Sequence, residues 1–204
     1  HCLAITDKGR AYAWGANANG QLGLGKYGDQ AEPQQIHVLL DTGVTCLAAG
    51  SRHSLAVARE GTQLWVWGSN AQGQLGVGSV SATEGSQRPM PSVCKAFSHR
   101  RGPEIIQVVA ASCHSLVLTR VGEVFSFGDN AHGQLGFLPE SAGRRVAAAA
   151  ASRAATSGPA YSSGPSRAAN EVDAPRLHAE GCARLWTPQR VVGLSKYRIR
   201  AGST

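Results

Sequence analysis

Three short apolar runs punctuate the first 136 residues, each opening on a histidine: His1-Cys2-Leu3-Ala4-Ile5, His53-Ser54-Leu55-Ala56-Val57 and His114-Ser115-Leu116-Val117-Leu118. Runs of this length with little polar alternation predict strands buried on both faces. Eight residues after each histidine stands a glycine, at Gly9, Gly61 and Gly122. Asp7-Lys8-Gly9 and Arg59-Glu60-Gly61 therefore predict hairpin turns, with glycine supplying the positive φ. The stretches that follow, Arg10–Trp14, Gln63–Trp67 and Glu123–Phe127, carry aromatics at alternate positions. That period of two predicts a strand with one face on a core. Each unit thus opens with a β-hairpin.

A second pair of strands follows. Pro33-Gln34-Gln35-Ile36 precedes Val44–Gly50, Pro91-Ser92-Val93 precedes Ile105–Ser112, and Pro188–Val192 precedes Tyr197–Gly202. Proline in a strand marks its start or an outer edge, because it has no N–H for a second neighbour. Four short strands per unit of about 40–60 residues is the arithmetic of a propeller blade.

Between the two halves lies the most emphatic feature of the chain. Asn17-Ala18-Asn19-Gly20-Gln21-Leu22-Gly23 returns as Asn70-Ala71-Gln72-Gly73-Gln74-Leu75-Gly76 and as Asn130-Ala131-His132-Gly133-Gln134-Leu135-Gly136. An aromatic-Gly pair precedes each copy: Trp14-Gly15, Trp67-Gly68 and Phe127-Gly128. The motif is expected to be structural, with leucine in the core between blades and amides bonding turn backbone. With its His-Ser and glycine positions, the pattern resembles the regulator of chromosome condensation (RCC1-like) repeat. The resemblance covers residues 1–136 closely and 187–202 in part. It implies an all-β fold: a partial propeller of about three four-stranded blades, from a family of seven-bladed propellers.

The expected organisation is three-part. Residues 1–136 hold the repeats, as the end of one blade, one full blade and the start of the next. Residues 137–186 form a low-complexity insertion in the third blade, and 187–204 resume the repeat. Gly143–Pro165 is rich in Ala, Ser, Gly, Arg and Pro, with Ala147–Ala151 a pure alanine run. That composition cannot bury a core and is expected to be disordered, a helix at Val146–Ala155 being marginal alone. The chain opens on His1 rather than Met and stops just before the next repeat histidine, which reads as a fragment of a larger protein.

Composition adds three points. The 25 glycines in 204 residues suit a turn-rich β protein. No apolar stretch is long enough for a membrane helix, and no leader pattern is visible, so the expected setting is intracellular, cytoplasmic or nuclear, without a membrane partner. The five cysteines are odd in number and form no CxxC pair. They predict neither a disulfide framework nor a zinc site, and Cys2, Cys46 and Cys113 are expected to be small buried hydrophobes. The net charge of +7 is unevenly placed: residues 1–136 carry only +1, and 187–204 carry +4. A near-neutral repeat body speaks against chromatin or nucleic acid as the partner.

Candidate chemistry is sparse. Gly20-Gln21-Leu22-Gly23-Leu24-Gly25-Lys26 imitates seven positions of a phosphate-binding loop, but Tyr27 replaces the Mg²⁺-binding hydroxyl. His1, His53 and His114 recur once per blade, too far apart to share a metal, and are expected to bond backbone near their own blades. Ser54 and Ser115 have no recurring third residue to complete a triad. One branch of the resembled family senses ultraviolet light through a tryptophan in Gly-Trp-Arg-His-Thr; here Ser51 stands in that place. No catalytic, cofactor-binding or metal-ligating residue is assigned, and no cofactor. The expected function is a protein-interaction scaffold. The alternative is a guanine-nucleotide exchange factor for a small Ran-like GTPase, which is the activity of the family's founding member. Function is expected where the repeats differ: around Tyr27–Glu32, Ser79–Arg88 and the insertion.

Overall fold

A computed structural model describes residues 1–78, 86–98, 103–136 and 184–191. Residues 137–183 of the expected 137–186 insertion, most of the 79–88 loop, and the strand expected at 197–202 lie outside these residues. The elements are β1 (Cys2–Ile5), β2 (Ala11–Gly15), β3 (Gln30–Gln35), β4 (Cys46–Ala49), β5 (His53–Ala58), β6 (Gln63–Ser69), β7 (Gln87–Val93), β8 (Ile105–Ala110), β9 (His114–Thr119), β10 (Val124–Asp129) and β11 (Arg184–Arg190). Short 3-10 turns at His37–Leu39 and Lys95–Phe97 join one sheet to the next.

The strands form three antiparallel sheets in the order β1-β2-β3, β4-β5-β6-β7 and β8-β9-β10-β11. They are referred to as blades 1, 2 and 3. Among the described residues blade 1 has three strands, because nothing pairs with the free edge of β1. Blade 2 packs on blade 3 through β4 and β5 against β8, and on blade 1 through β4 against β1. The strands bearing Pro33, Pro89, Pro91 and Pro188 (β3, β7 and β11) are the outermost of their sheets, where a missing N–H costs no ladder bond.

The aromatic-Gly pair has a definite job. In all three blades the pairing of this strand with the outer strand shifts by two residues there, between Ala13 and Gly15, Val66 and Gly68, and Ser126 and Gly128. The extra residues lie in the outer strand, three of them against the single Trp14, Trp67 or Phe127. Each following glycine takes a positive φ, of 95°, 95° and 112°. A side chain at Gly68 would also meet the Arg52 carbonyl oxygen at 2.5 Å, and at Gly128 that of Cys113 at 2.5 Å. Both requirements leave only glycine.

Two apolar seams hold the blades together. Leu22, Ile36, Leu39, Val44, Ala56 and Trp67 fill the first. Leu64, Leu75, Cys94, Phe97, Ile105 and Phe127 fill the second, where the Phe97 and Phe125 rings meet edge to face at 5.3 Å. Among the described residues the buried cysteine is Cys94; Cys46 and Cys113 are half-buried and Cys2 is exposed. The expectation of buried side chains is corrected for all three of Cys2, Cys46 and Cys113, most fully for Cys2, whose strand has no neighbour on one side among the described residues. Burial pushes the Cys94 thiol up to about 11, so it stays protonated and acts as a small hydrophobe.

Candidate functional site

The repeated motif folds the same way three times. The Asn17, Asn70 and Asn130 side-chain oxygens each accept the backbone N–H five residues on, from Leu22, Leu75 and Leu135, at 3.0 Å. The Gln21, Gln74 and Gln134 side-chain oxygens each accept the N–H two residues back, at 2.9, 2.8 and 2.8 Å. The three leucines are all but inaccessible to solvent. The expected structural role for the asparagine, glutamine and leucine is what the geometry shows.

The motif also binds the next blade. Ser54 of blade 2 donates its hydroxyl proton to the Gln21 carbonyl of blade 1 at 2.7 Å, and Trp67 donates its indole N–H to the same oxygen at 2.8 Å. Ser115 of blade 3 donates likewise to the Gln74 carbonyl of blade 2 at 2.8 Å. With its one proton spent, each serine oxygen can only accept from its other neighbour. That neighbour is the repeat histidine of the preceding blade: His1 Nε2 lies 2.8 Å from Ser54 Oγ, and His53 Nε2 lies 2.9 Å from Ser115 Oγ. Each histidine therefore carries its proton on Nε2. A His–Ser–carbonyl relay so crosses both seams. The expectation of imidazoles bonding backbone of their own blades is corrected: their partners are hydroxyls of the next blade. Proximity of His-Ser in sequence hides this, because His53 and Ser54 face different seams.

The relay fixes a charge state. His53 is fully buried and its Nδ1 has no hydrogen-bond partner. Burial, with His114 nearby, brings its pKa from the ordinary 6.5 down to about 4. Burial lowers His114 as well. Since the native pKa lies below the unfolded one, the unfolded chain takes up a proton between those values that the native chain refuses. Stability held above pH 6.5 is expected to fall as the pH drops towards 4, by on the order of 3 kcal/mol from His53. Urea midpoints at several pH values check this. The slope should flatten in His53→Gln, which keeps an N–H donor without a titrating ring; equal slopes would refute the neutral buried imidazole.

The phosphate-loop imitation is accounted for by the same seam. Leu22 is buried, Gly25 donates its N–H to the Pro89 carbonyl at 2.9 Å, and a side chain at Gly23 would meet Trp67 Nε1 at 2.8 Å. Ser51, in the light-sensing position, is exposed and bonds Ser112 across the second seam at 3.3 Å.

What remains exposed and distinctive is the loop after the first motif. Asn17 pins its backbone, donating to the Lys26 carbonyl at 2.8 Å and the Gly28 carbonyl at 3.1 Å, while Asp29 accepts the Asn17 N–H at 2.8 Å. Tyr27 stands between these anchors with 52% of its surface exposed. Sequence comparison of the repeats singled out this loop; the anchoring by Asn17 emerges only in three dimensions.

Comparison with known proteins agrees with this geometry. A profile of the Regulator of chromosome condensation (RCC1) repeat matches residues 8–57 and 63–118, and a second profile of that repeat matches 44–74 and 105–134. The chain is 36% identical over 140 residues to the probable E3 ubiquitin-protein ligase HERC6 of Homo sapiens, covering 68% of this chain and 13% of that protein. It is 33% identical over 136 residues to the Ultraviolet-B receptor UVR8 of Arabidopsis thaliana, covering 67% of this chain and 29% of the receptor. Among solved structures it resembles human WBSCR16, with a TM-score of 0.53 and 31% identity over 62% of this chain and 30% of that one. Prp20p from Saccharomyces cerevisiae gives a TM-score of 0.57 at 22% identity, over 68% of this chain and 33% of that one. The chain thus spans a third or less of the length of these proteins.

Proposed function

This chain belongs to the regulator of chromosome condensation repeat family, and from that premise we propose that it is part of a protein-interaction scaffold. One observation carries the reading. The residues that recur in every blade are consumed in holding the seams, whereas Tyr27 is a largely exposed aromatic on a loop whose backbone is pinned on both sides. An aromatic held ready on rigid backbone loses little entropy on binding and is the residue type that anchors protein interfaces. The role requires no bond-making chemistry from the blades. The proposed setting is intracellular and the proposed partner a protein.

Affinity purification of the full-length protein and of its Tyr27→Ser variant, read by quantitative mass spectrometry, tests the proposal. At least one partner should fall about tenfold or more, with its loss reproduced in a purified binding assay and with Tm unchanged. An identical partner set would count against the Tyr27 loop as the docking element. The structure of Prp20p concerns its binding to Gsp1p and histones, but at 22% identity that likeness supports the fold alone. GDP release from Ran-type GTPases is therefore the second assay: acceleration at micromolar protein would replace the scaffold reading with an exchange factor.

A further inference from the structure

Two features in which the blades differ meet at the seam between blades 1 and 2. The first is the outer-strand bulge of blade 2. Three residues there, Pro89, Met90 and Pro91, stand unpaired against the single Trp67. Blade 1 has Ala31, Glu32 and Pro33 at those positions, and blade 3 has Trp186, Thr187 and Pro188. Met90 is 50% exposed and lines a groove of about 420 Å³ with the two prolines. The second feature is the Tyr27 loop of blade 1. Its Gly25 donates its N–H to the Pro89 carbonyl at 2.9 Å. A Cβ on Gly25 would lie 3.3 Å from Met90 Cγ and 3.4 Å from Met90 Sδ, so the thioether rests on the loop backbone. Tyr27 comes two residues later, a span of at most about 7 Å. A half-exposed phenol and a half-exposed thioether therefore flank one strip of surface.

Chemistry narrows what this strip can take. Proline has no N–H, so Met90 supplies the one backbone donor of the bulge, and the edge is a poor template for strand addition. Recognition falls to side chains. An aromatic ring suits both walls: it packs offset or edge-on with a tyrosine, and a methionine sulfur contacts it favourably and adapts to its shape. The free charge beside the strip is positive. Lys26, between Gly25 and Tyr27, is exposed and has no ion pair among the described residues. The acids of the loop and its strand face elsewhere. Asp29 Oδ1 is turned back on the Asn17 N–H at 2.8 Å. Glu32 lies in the bulge of blade 1, and such a bulge faces the preceding blade, as Pro89 faces Gly20. Glu32 is therefore on the side of blade 1 away from blade 2.

We propose that this strip docks a segment of a protein partner that carries an aromatic side chain next to a carboxylate, the ring between Tyr27 and Met90 and the carboxylate on Lys26. The proposal deepens the scaffold reading and rests on it for the partner being a protein.

The probe is acetyl-Glu-Phe-amide, titrated into the 204-residue chain. Met90 is its one methionine, so selective carbon-13 labelling gives a single methyl signal. A saturable upfield shift is expected as the ring covers that methyl. Alanine in place of the phenylalanine should abolish it. Glutamine in place of the glutamate should weaken binding about threefold, the scale of one exposed ion pair. Salt at about 0.5 M should do the same to the glutamate peptide alone. Lys26→Gln should bring the two peptides to equal affinity. Tyr27→Ser and Met90→Thr, followed at the Gly28 amide, should each weaken binding about tenfold with Tm unchanged. No saturable shift at millimolar peptide would overturn the proposal. So would equal binding of the glutamate and glutamine peptides by the unaltered chain, or undiminished affinity in Met90→Thr. Each of these is compatible with the loss of a partner in Tyr27→Ser, so the scaffold reading stands or falls separately.

Discussion

Gly20→Ala is expected to destabilise the protein by about 3–5 kcal/mol, whereas Gly133→Ala, at the same place in the motif, is expected to cost only about 1–2 kcal/mol. The two glycines share a backbone conformation, with φ of 76° at each. An L side chain there is strained in either case, which sets the smaller figure. They differ in what surrounds them. A Cβ on Gly20 would lie 2.5 Å from Pro89 Cα and 2.9 Å from Pro89 Cβ, in the outer strand of the next blade; on Gly133 it would meet nothing within 4 Å. Pro89 lies in the unpaired stretch of β7 between Arg88 and Ser92, but its carbonyl accepts the Gly25 N–H at 2.9 Å, so it cannot step aside without losing that bond across the seam. Urea unfolding of the two variants isolates the seam contact from the backbone cost. Equal losses would show that the seam does not depend on this approach.

The second large effect is at Trp67. Its side chain is wholly buried in the first seam, so Trp67→Ala should cost about 3–5 kcal/mol. Trp67→Phe should cost only about 1–2 kcal/mol, because the Gln21 carbonyl keeps the Ser54 hydroxyl when the indole N–H is lost. Blade 3 already makes that exchange, with Phe127 under Gly76 as Trp67 lies under Gly23. Thermal melts of the three proteins decide the matter. A phenylalanine variant as damaged as the alanine one would mean that the indole bond, rather than ring volume, holds the seam.

Much of this architecture was legible in the chain itself. The histidine-led runs Ile5, Val57 and Leu118 close are β1, β5 and β9; the alternating aromatics are β2, β6 and β10. The prolines mark outer strands, and the repeated motif marks the turn that caps each hairpin. These features are local: strand periodicity, glycine φ and the missing proline N–H act within a few residues, so they leave a pattern in sequence. The exposure of Cys2 was not legible, since it depends on whether a strand lies beside β1.

The candidate sites divide in the same way. The Tyr27 loop stood out because the repeats differ there, yet its rigidity depends on Asn17, whose bonds span 9 and 11 residues. By itself, the sequence determined the repeat, the strands and their order within each blade, all consequences of short-range backbone chemistry. Only the tertiary structure decided which blade satisfies which. The His53 imidazole, the Ser115 hydroxyl and the Gln74 carbonyl come from positions up to 62 residues apart, and no rule of spacing brings such groups together until the seam between the blades has closed.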